Sequence, residues 1–309
     1  MVGPFATPLG FTVTAGVFGL CIGSFLNVAI HRYDQADQTV HRPRRSYCPH
    51  CKHALAWHEN LPLLSYLVQG GRCRHCRGRI SARYPLVEAL NALLWALAAW
   101  LGGPQAWALV LVQAVALSAL LVATFVDLDH YEIPDGVSIG GMWLAVPVSM
   151  LVPDLHADSG LAHWLAGADG RVGWFEAGLT ALIGIAVGAG VLWLVGKLGK
   201  LVFRKEAMGF GDVKLLGAAG GFVGPGGALA ALMLASCLGA LIGIANVLRF
   251  AWLSSARGRA RGRGSQWGRA VRIGRACGSY IPFGPALAIG IGIALLAWNE
   301  LARWLGSVA

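Results

Sequence analysis

"AMGFGDVKLL", residues 207–216, lies between long apolar runs and sets Asp212 and Lys214 in a glycine-rich turn. What flanks it decides the fold. Apolar stretch 175–198 precedes it, and 213–224 and 226–250 follow. Others fall near 10–31, 85–102, 104–126, 137–153 and 283–306. Runs of about 18 or more apolar residues can cross a bilayer. The 309 residues are 56% hydrophobic and 13% charged, with mean hydropathy +0.60; soluble domains are roughly a quarter charged. Without water in the bilayer core, a spanning segment must be a helix or part of a closed barrel. These runs are too long and too continuously apolar for barrel strands. The expected fold is an all-α polytopic membrane protein with about eight transmembrane helices, 213–224 being the weakest of them.

The net charge of +10 raises the question of nucleic acid, but its distribution answers it. Of 25 Lys and Arg, segment 32–83 holds ten, 197–214 five and 249–281 eight. Alternating faces through eight helices puts all three segments on one side, which the positive-inside rule makes cytoplasmic. Orientation and contact with anionic lipid head groups account for the basicity, and no nucleic-acid partner is expected. The first apolar run has no basic segment before it; Arg32, Arg42, Arg44 and Arg45 follow it. It reads as a retained anchor rather than a removable signal, with both termini on the periplasmic side.

Segment 32–83 is the one sizeable polar region, too small for a large core and in need of a staple. Cys48-Pro-His-Cys51 and Cys73-Arg-His-Cys76 supply one, two C-x-x-C pairs with 21 residues between them. Each such turn presents two thiolates to one ion, and two turns complete a tetrahedral zinc shell. Two disulfides or free thiols are the alternatives, and a reducing cytoplasm disfavours the disulfides. With no ligand position open, the zinc is expected to be structural. Cys21, Cys237 and Cys277 lack this spacing.

Acidic residues are scarce near the apolar runs. "TFVDLDHYEIPDG" (124–136) joins the third and fourth helices with Asp127, Asp129, Glu132 and Asp135. On the topology above, Asp127 and Asp212 sit at similar depth on the same cytoplasmic edge. Ionisable groups at membrane level point to function. Two adjacent carboxylates can share one proton, so that one activates water while the other polarises a carbonyl. That chemistry hydrolyses a peptide bond without a covalent intermediate. Glycines beside Asp212 would let backbone approach closely. The plainer reading has these carboxylates capping helices or neutralising Lys and Arg at the interface.

"GFGD" fits the G-x-G-D pattern of intramembrane aspartic proteases. "GSFLNV" (23–28), "CPHC" (48–51), "WHENLPLLSYL" (57–67), "GRCRHC" (71–76), "ARYPLVEAL" (82–90), "VDLDHYEIPD" (126–135), "MGFGDVKLL" (208–216) and "IPFGP" (281–285) follow one another along the chain. In that order they resemble the bacterial type IV prepilin leader peptidases. The resemblance implies cleavage of the short basic leader of prepilins and pseudopilins after a glycine, on the cytoplasmic side of the inner membrane. It also implies methylation of the new N-terminal amine by S-adenosylmethionine. The family's catalytic aspartates map to Asp127 and Asp212; Asp129, Asp135, Gly209, Gly211 and Lys214 are expected to support them.

The methyl-transfer site is less defined, since no G-x-G-x-x-G fingerprint is present. The resemblance places it at the first cytoplasmic loop, where Glu59, Asn60, Tyr66 and Glu88 are candidates. Glu88 could equally pair with Arg83 or Arg79. The expected organisation is a first transmembrane helix (1–31), a cytoplasmic four-cysteine loop domain (32–83) and a transmembrane protease bundle (84–309). Two segments depart from the family pattern: an outer loop at 154–174, expected to be a solvated connector, and an Arg/Gly-rich loop at 251–280. Basic leaders cannot be drawn by charge to a basic face, so the apolar helix of the substrate is expected to dock in the bundle, with one of the basic residues in 72–83, Arg83 among them, a candidate partner for its early glutamate. Two other readings compete: a proton- or cation-coupled transporter using Asp127 and Asp212, and a scaffold with incidental aspartates.

Overall fold

The computed structural model describes residues 7–35, 45–167, 171–204, 209–260 and 282–308. Nearly all of it is helix, with no strand among the described residues. The helices are α1 (Pro8–Arg32), the short α2 (Leu64–Val68), α3 (Arg83–Gly102), α4 (Trp107–His130), α5 (Asp135–Leu151), the short α6 (Gly160–Ala166), α7 (Trp174–Phe203), α8 (Phe210–Ala260) and α9 (Gly284–Val308). Spans Pro8–Arg32, Arg83–Gly102, Pro104–His130, Trp174–Val202 and Phe210–Leu253 are long and apolar enough to cross a membrane. Asp135–Leu151 and Gly284–Ala297 are shorter apolar helices.

α8 is bent where the sequence demands it. Pro225 lacks an N–H and disfavours the helical conformation in the residue before it. Gly224 absorbs the break at φ 71°, ψ 175°, a conformation open to glycine. The two limbs are the short sixth and long seventh runs of the sequence, so the eight expected segments are all present as helix. The segment expected as a loop at 251–280 begins as helix, since α8 continues to Ala260, and 261–280 lie outside the described residues.

α8 is the hub. It packs along α7, α9 and α5, while α1 pairs with α3, and α4 joins that pair to α9. In lipid, helices associate by close packing rather than by a hydrophobic drive. α7 and α8 do so backbone to backbone: a Cβ on Gly184 would overlap the Gly220 carbonyl, and one on Gly220 the Gly184 carbonyl. α1, α3 and α4 add a polar clasp. Asn91 donates to Gly19 O (2.7 Å), Ser118 to Asn91 Oδ1 (2.8 Å) and Trp95 Nε1 to Ser118 Oγ (2.8 Å).

The expected solvated connector is partly built into the fold over residues 153–166. Pro153–His156 forms a turn and α6 follows. His156 is 1% exposed, and its Nε2 meets Ser149 Oγ at 3.0 Å. Ser149 in turn donates to Gly221 O at 3.2 Å. A Cβ on Gly224 would lie 3.5 Å from His156 Nδ1. The turn therefore plugs the bend in α8, and burial pushes the His156 pKa down to about 4.

Candidate functional site

α4 ends one turn after Asp127. Tyr131 takes the left-handed cap conformation at φ 57°, its N–H returning to Asp127 O at 3.0 Å. Residues 131–134 turn the chain into α5, which begins at Asp135. α8 starts at Phe210, so Asp212 sits in its first turn. The two turns touch: a Cβ on Gly211 would lie 3.2 Å from Ile133 Cβ. That contact brings Asp127 and Asp212 to the wall of one open cavity of about 550 Å³, with Gly209, Gly211, Asp135 and Lys214 on its rim. Both aspartates are buried, at 6% and 9% exposure.

A third element holds Asp127. The first N–H groups of a helix lack intrahelical partners, and that of Gly284, opening α9, donates to Asp127 Oδ2 at 3.1 Å. A side chain at 284 would collide with the carboxylate. "IPFGP" is visible in the sequence but this role is not, because a backbone donor leaves no side-chain signature.

The supporting residues divide. Lys214 Nζ goes to Asp135 Oδ1 rather than to Asp212. Arg83 Nη1 pairs with Asp129 Oδ2 at 2.5 Å, its Nη2 donates to Phe125 O at 3.0 Å, and the guanidinium covers the Phe125 ring at 4.8 Å. Asp129 therefore faces a neighbouring cavity with Arg83. Arg83 is committed within the protein, and it is not the partner of Glu88.

The four cysteines converge from two matching turns. Lys52 N–H returns to Cys48 O and Arg77 N–H to Cys73 O, at 2.9 and 3.0 Å. Lys52 and Arg77, each just past its second cysteine, both have φ 58°. The Sγ atoms of Cys48, Cys51, Cys73 and Cys76 lie within 4.8 Å of one another, ready for one metal ion. N–H groups of Cys76 and His75 point at Cys73 and hold its thiol down to about 7, which favours the ligating thiolate. His53, Glu59 and His75 form a second close group.

Glu59, Asn60, Tyr66 and Glu88 all line one cavity of about 280 Å³ between the cysteine loop and the ends of α1 and α3. Asn27, His31, Arg79 and Tyr84 are among its other lining residues; of these, Asn27 lies in "GSFLNV". Glu59 is buried. The Ala56 N–H at 2.9 Å, with His75 beyond, holds its carboxyl below the ordinary range. Glu88 Oε2 accepts the Leu63 N–H at 2.8 Å. Leu63 has φ 58°, ψ −48°, a strained conformation for a residue with a Cβ. Glu88 thus pins the loop to α3.

Residues 17–101 match the bacterial peptidase A24 N-terminal domain, and residues 114–244 match the type IV leader peptidase family. The prepilin leader peptidase/N-methyltransferase of Aeromonas hydrophila is 36% identical over 93% of this chain and 91% of its own length. The chain belongs to the type IV leader peptidase family. Its similarity extends to the prepilin leader peptidase/N-methyltransferase of Pseudomonas aeruginosa, 32% identical over 96% of this chain and 93% of that protein. The Myxococcus xanthus protein of the same name is 42% identical over 77% of this chain, a match spanning 64% of its own length. No solved structure matches the chain.

Proposed function

We propose that this protein removes the short basic leader of type IV prepilins or pseudopilins and methylates the amine so exposed. The observation that carries the reading is the meeting of Asp127 and Asp212, from distant helices, at one cavity on the edge of the bundle. In this reading one carboxylate takes a proton from water, and the other, protonated, donates to the scissile carbonyl. The Gly284 N–H orients Asp127 while its second oxygen stays free for water or substrate. Gly209 and Gly211 keep the rim low enough for an extended peptide.

Methyl transfer is assigned to the cavity of Glu59 and Glu88. S-adenosylmethionine, when bound, supplies an activated methyl group. The residues present suit it: tyrosine rings for a purine, buried carboxylates for hydroxyl and ammonium groups, and Arg79 for a carboxylate. The four cysteines suit structural zinc, which would fix the loop forming one wall. The basic segments orient the chain in the inner membrane with both cavities cytoplasmic and both termini periplasmic, lipid covering the outer apolar faces. We assign 32–83 to the methyl-transfer side and 84–309 to the peptidase bundle, with α3 also packing on α1. The transporter reading draws no support from the relatives, and its carboxylates would sit at helix ends rather than at mid-membrane.

The test is mass spectrometry of a prepilin incubated with wild type or Asp212→Asn and S-adenosylmethionine. Leader loss plus one methyl in wild type, and an uncut substrate with the variant, are expected. Cleavage by Asp212→Asn refutes the two-aspartate mechanism.

A further inference from the structure

Three cavities stand in a row along the ends of α1, α3 and α4. The first holds Asp127 and Asp212. The last holds Glu59 and Glu88. Between them lies one of about 370 Å³, bounded by Asp34 at the end of α1, Arg83 at the start of α3, and Asp129 and His130 at the end of α4. It shares Asn27, His31, Ser81 and Tyr84 with the last cavity. It meets the first through a ring contact: His130 lines the middle cavity, Tyr33 lines the first, and their centroids are 5.8 Å apart. The other boundary carries a second ring pair, His31 and Tyr84, at 6.5 Å.

These partitions are side chains, and side chains swing on the ps–ns scale when exposed. The middle cavity is crossed by Arg83–Asp129 and by His130–Asp34 at 3.8 Å. All four side chains are at least 29% exposed, and solvent weakens pairs so exposed. Opening the row means releasing Arg83 from Asp129 and from Phe125 O and parting His130 from Asp34.

The chemistry gives the row a use. Hydrolysis adds water across the scissile bond, leaving a carboxylate on the leader and an amine on the mature chain. That amine is what the second reaction consumes. Its nitrogen gains the methyl carbon as the donor's C–S bond breaks, and it gives up one proton. A free N-terminal amine carries positive charge at neutral pH; Asp34 and Asp129 offer countercharge on the way, and Glu59 and Glu88 on arrival. The apolar body of the product need not move. Unwinding its first residues lengthens the chain from about 1.5 to about 3.3 Å per residue.

We propose that the middle cavity is an internal route by which the new amine passes from the aspartate site to the methyl-transfer site without the product leaving the protein. This rests on the two-activity reading above.

The experiment uses the full chain in detergent with S-adenosylmethionine, an unlabelled type IV prepilin, and isotope-labelled mature pilin already lacking its leader. A short tether gives an effective concentration on the order of mM, so against about 0.1 mM labelled competitor the nascent product should be methylated about tenfold above its share of the pool. Methyl distributed according to the pool overturns the route while leaving both activities standing. Wild type that fails to cut or to methylate overturns the two-activity reading and the route with it. Asp34→Trp, at an exposed position outside both reactive cavities, should fill the middle one. Cleavage is expected to continue while unmethylated product accumulates; methylation keeping pace with cleavage would refute the route. Should Asp34→Trp fold poorly, cleavage falls too, and the label competition in wild type decides.

Discussion

Gly284→Ala tests the geometry around Asp127 without touching a titratable group. An added Cβ would lie 2.9 Å from Asp127 Cγ and 3.3 Å from Asp127 Cβ, and closer still to Oδ2. Carbon atoms rest at about 3.5–4.0 Å, so the carboxylate must retreat by roughly 1 Å. A misplacement of about that size can cost about 100-fold in rate. The Gly284 N–H to Asp127 Oδ2 bond, 3.1 Å long, would be lost with it. A hydrogen bond to a charged group is worth roughly 1.5–3 kcal/mol, or about 10- to 100-fold. Both routes lead to a cleavage rate down about 100-fold. The assay is leader removal from a prepilin followed by mass spectrometry. Methylation of an already cleaved pilin by the same preparation reports intact folding. If Gly284→Ala cleaves within about threefold of wild type, the claim that this contact positions Asp127 is wrong.

Glu88→Gln keeps an acceptor for the Leu63 N–H but removes the charge; methylation should fall at least about tenfold, within the usual range for a positioned carboxyl, while leader cleavage holds. Elemental analysis should find one zinc per chain, and Cys73→Ser or prolonged chelation should remove it and lower methylation before cleavage. His156, kept neutral by burial with its pKa near 4, binds its proton in the unfolded chain first. Stability contributed by the neutral imidazole is therefore present above about pH 6.5 and is lost as pH falls toward 4, by about 2 kcal/mol between pH 6.5 and 4.5. Thermal melts of wild type and His156→Asn should converge over that range; parallel curves would contradict the assignment. Gly184→Val should drive α7 from α8 and lower the melting temperature even though it lies far from both cavities.

Much of the bundle was legible in the residues because lipid leaves few choices. A long apolar run must be a helix. The paired C-x-x-C turns and the scarce carboxylates were equally visible, since each residue type carries its chemistry locally. What lay beyond the sequence was partnership. Lys214 chose Asp135, Arg83 chose Asp129, and Glu88 chose a backbone N–H, because ion pairs and hydrogen bonds follow distance in the folded chain rather than spacing along it. Gly284 was invisible as a partner of Asp127 because its contribution is a backbone donor at a helix start. His156 was misread as a solvated loop residue because burial arises only when the bend in α8 needs filling. The sequence by itself determined the helices, the four cysteines that could hold a metal, and the two candidate aspartates. Only the tertiary structure decided that those aspartates share a wall, and that the methyl-transfer candidates line one cavity two ring pairs away.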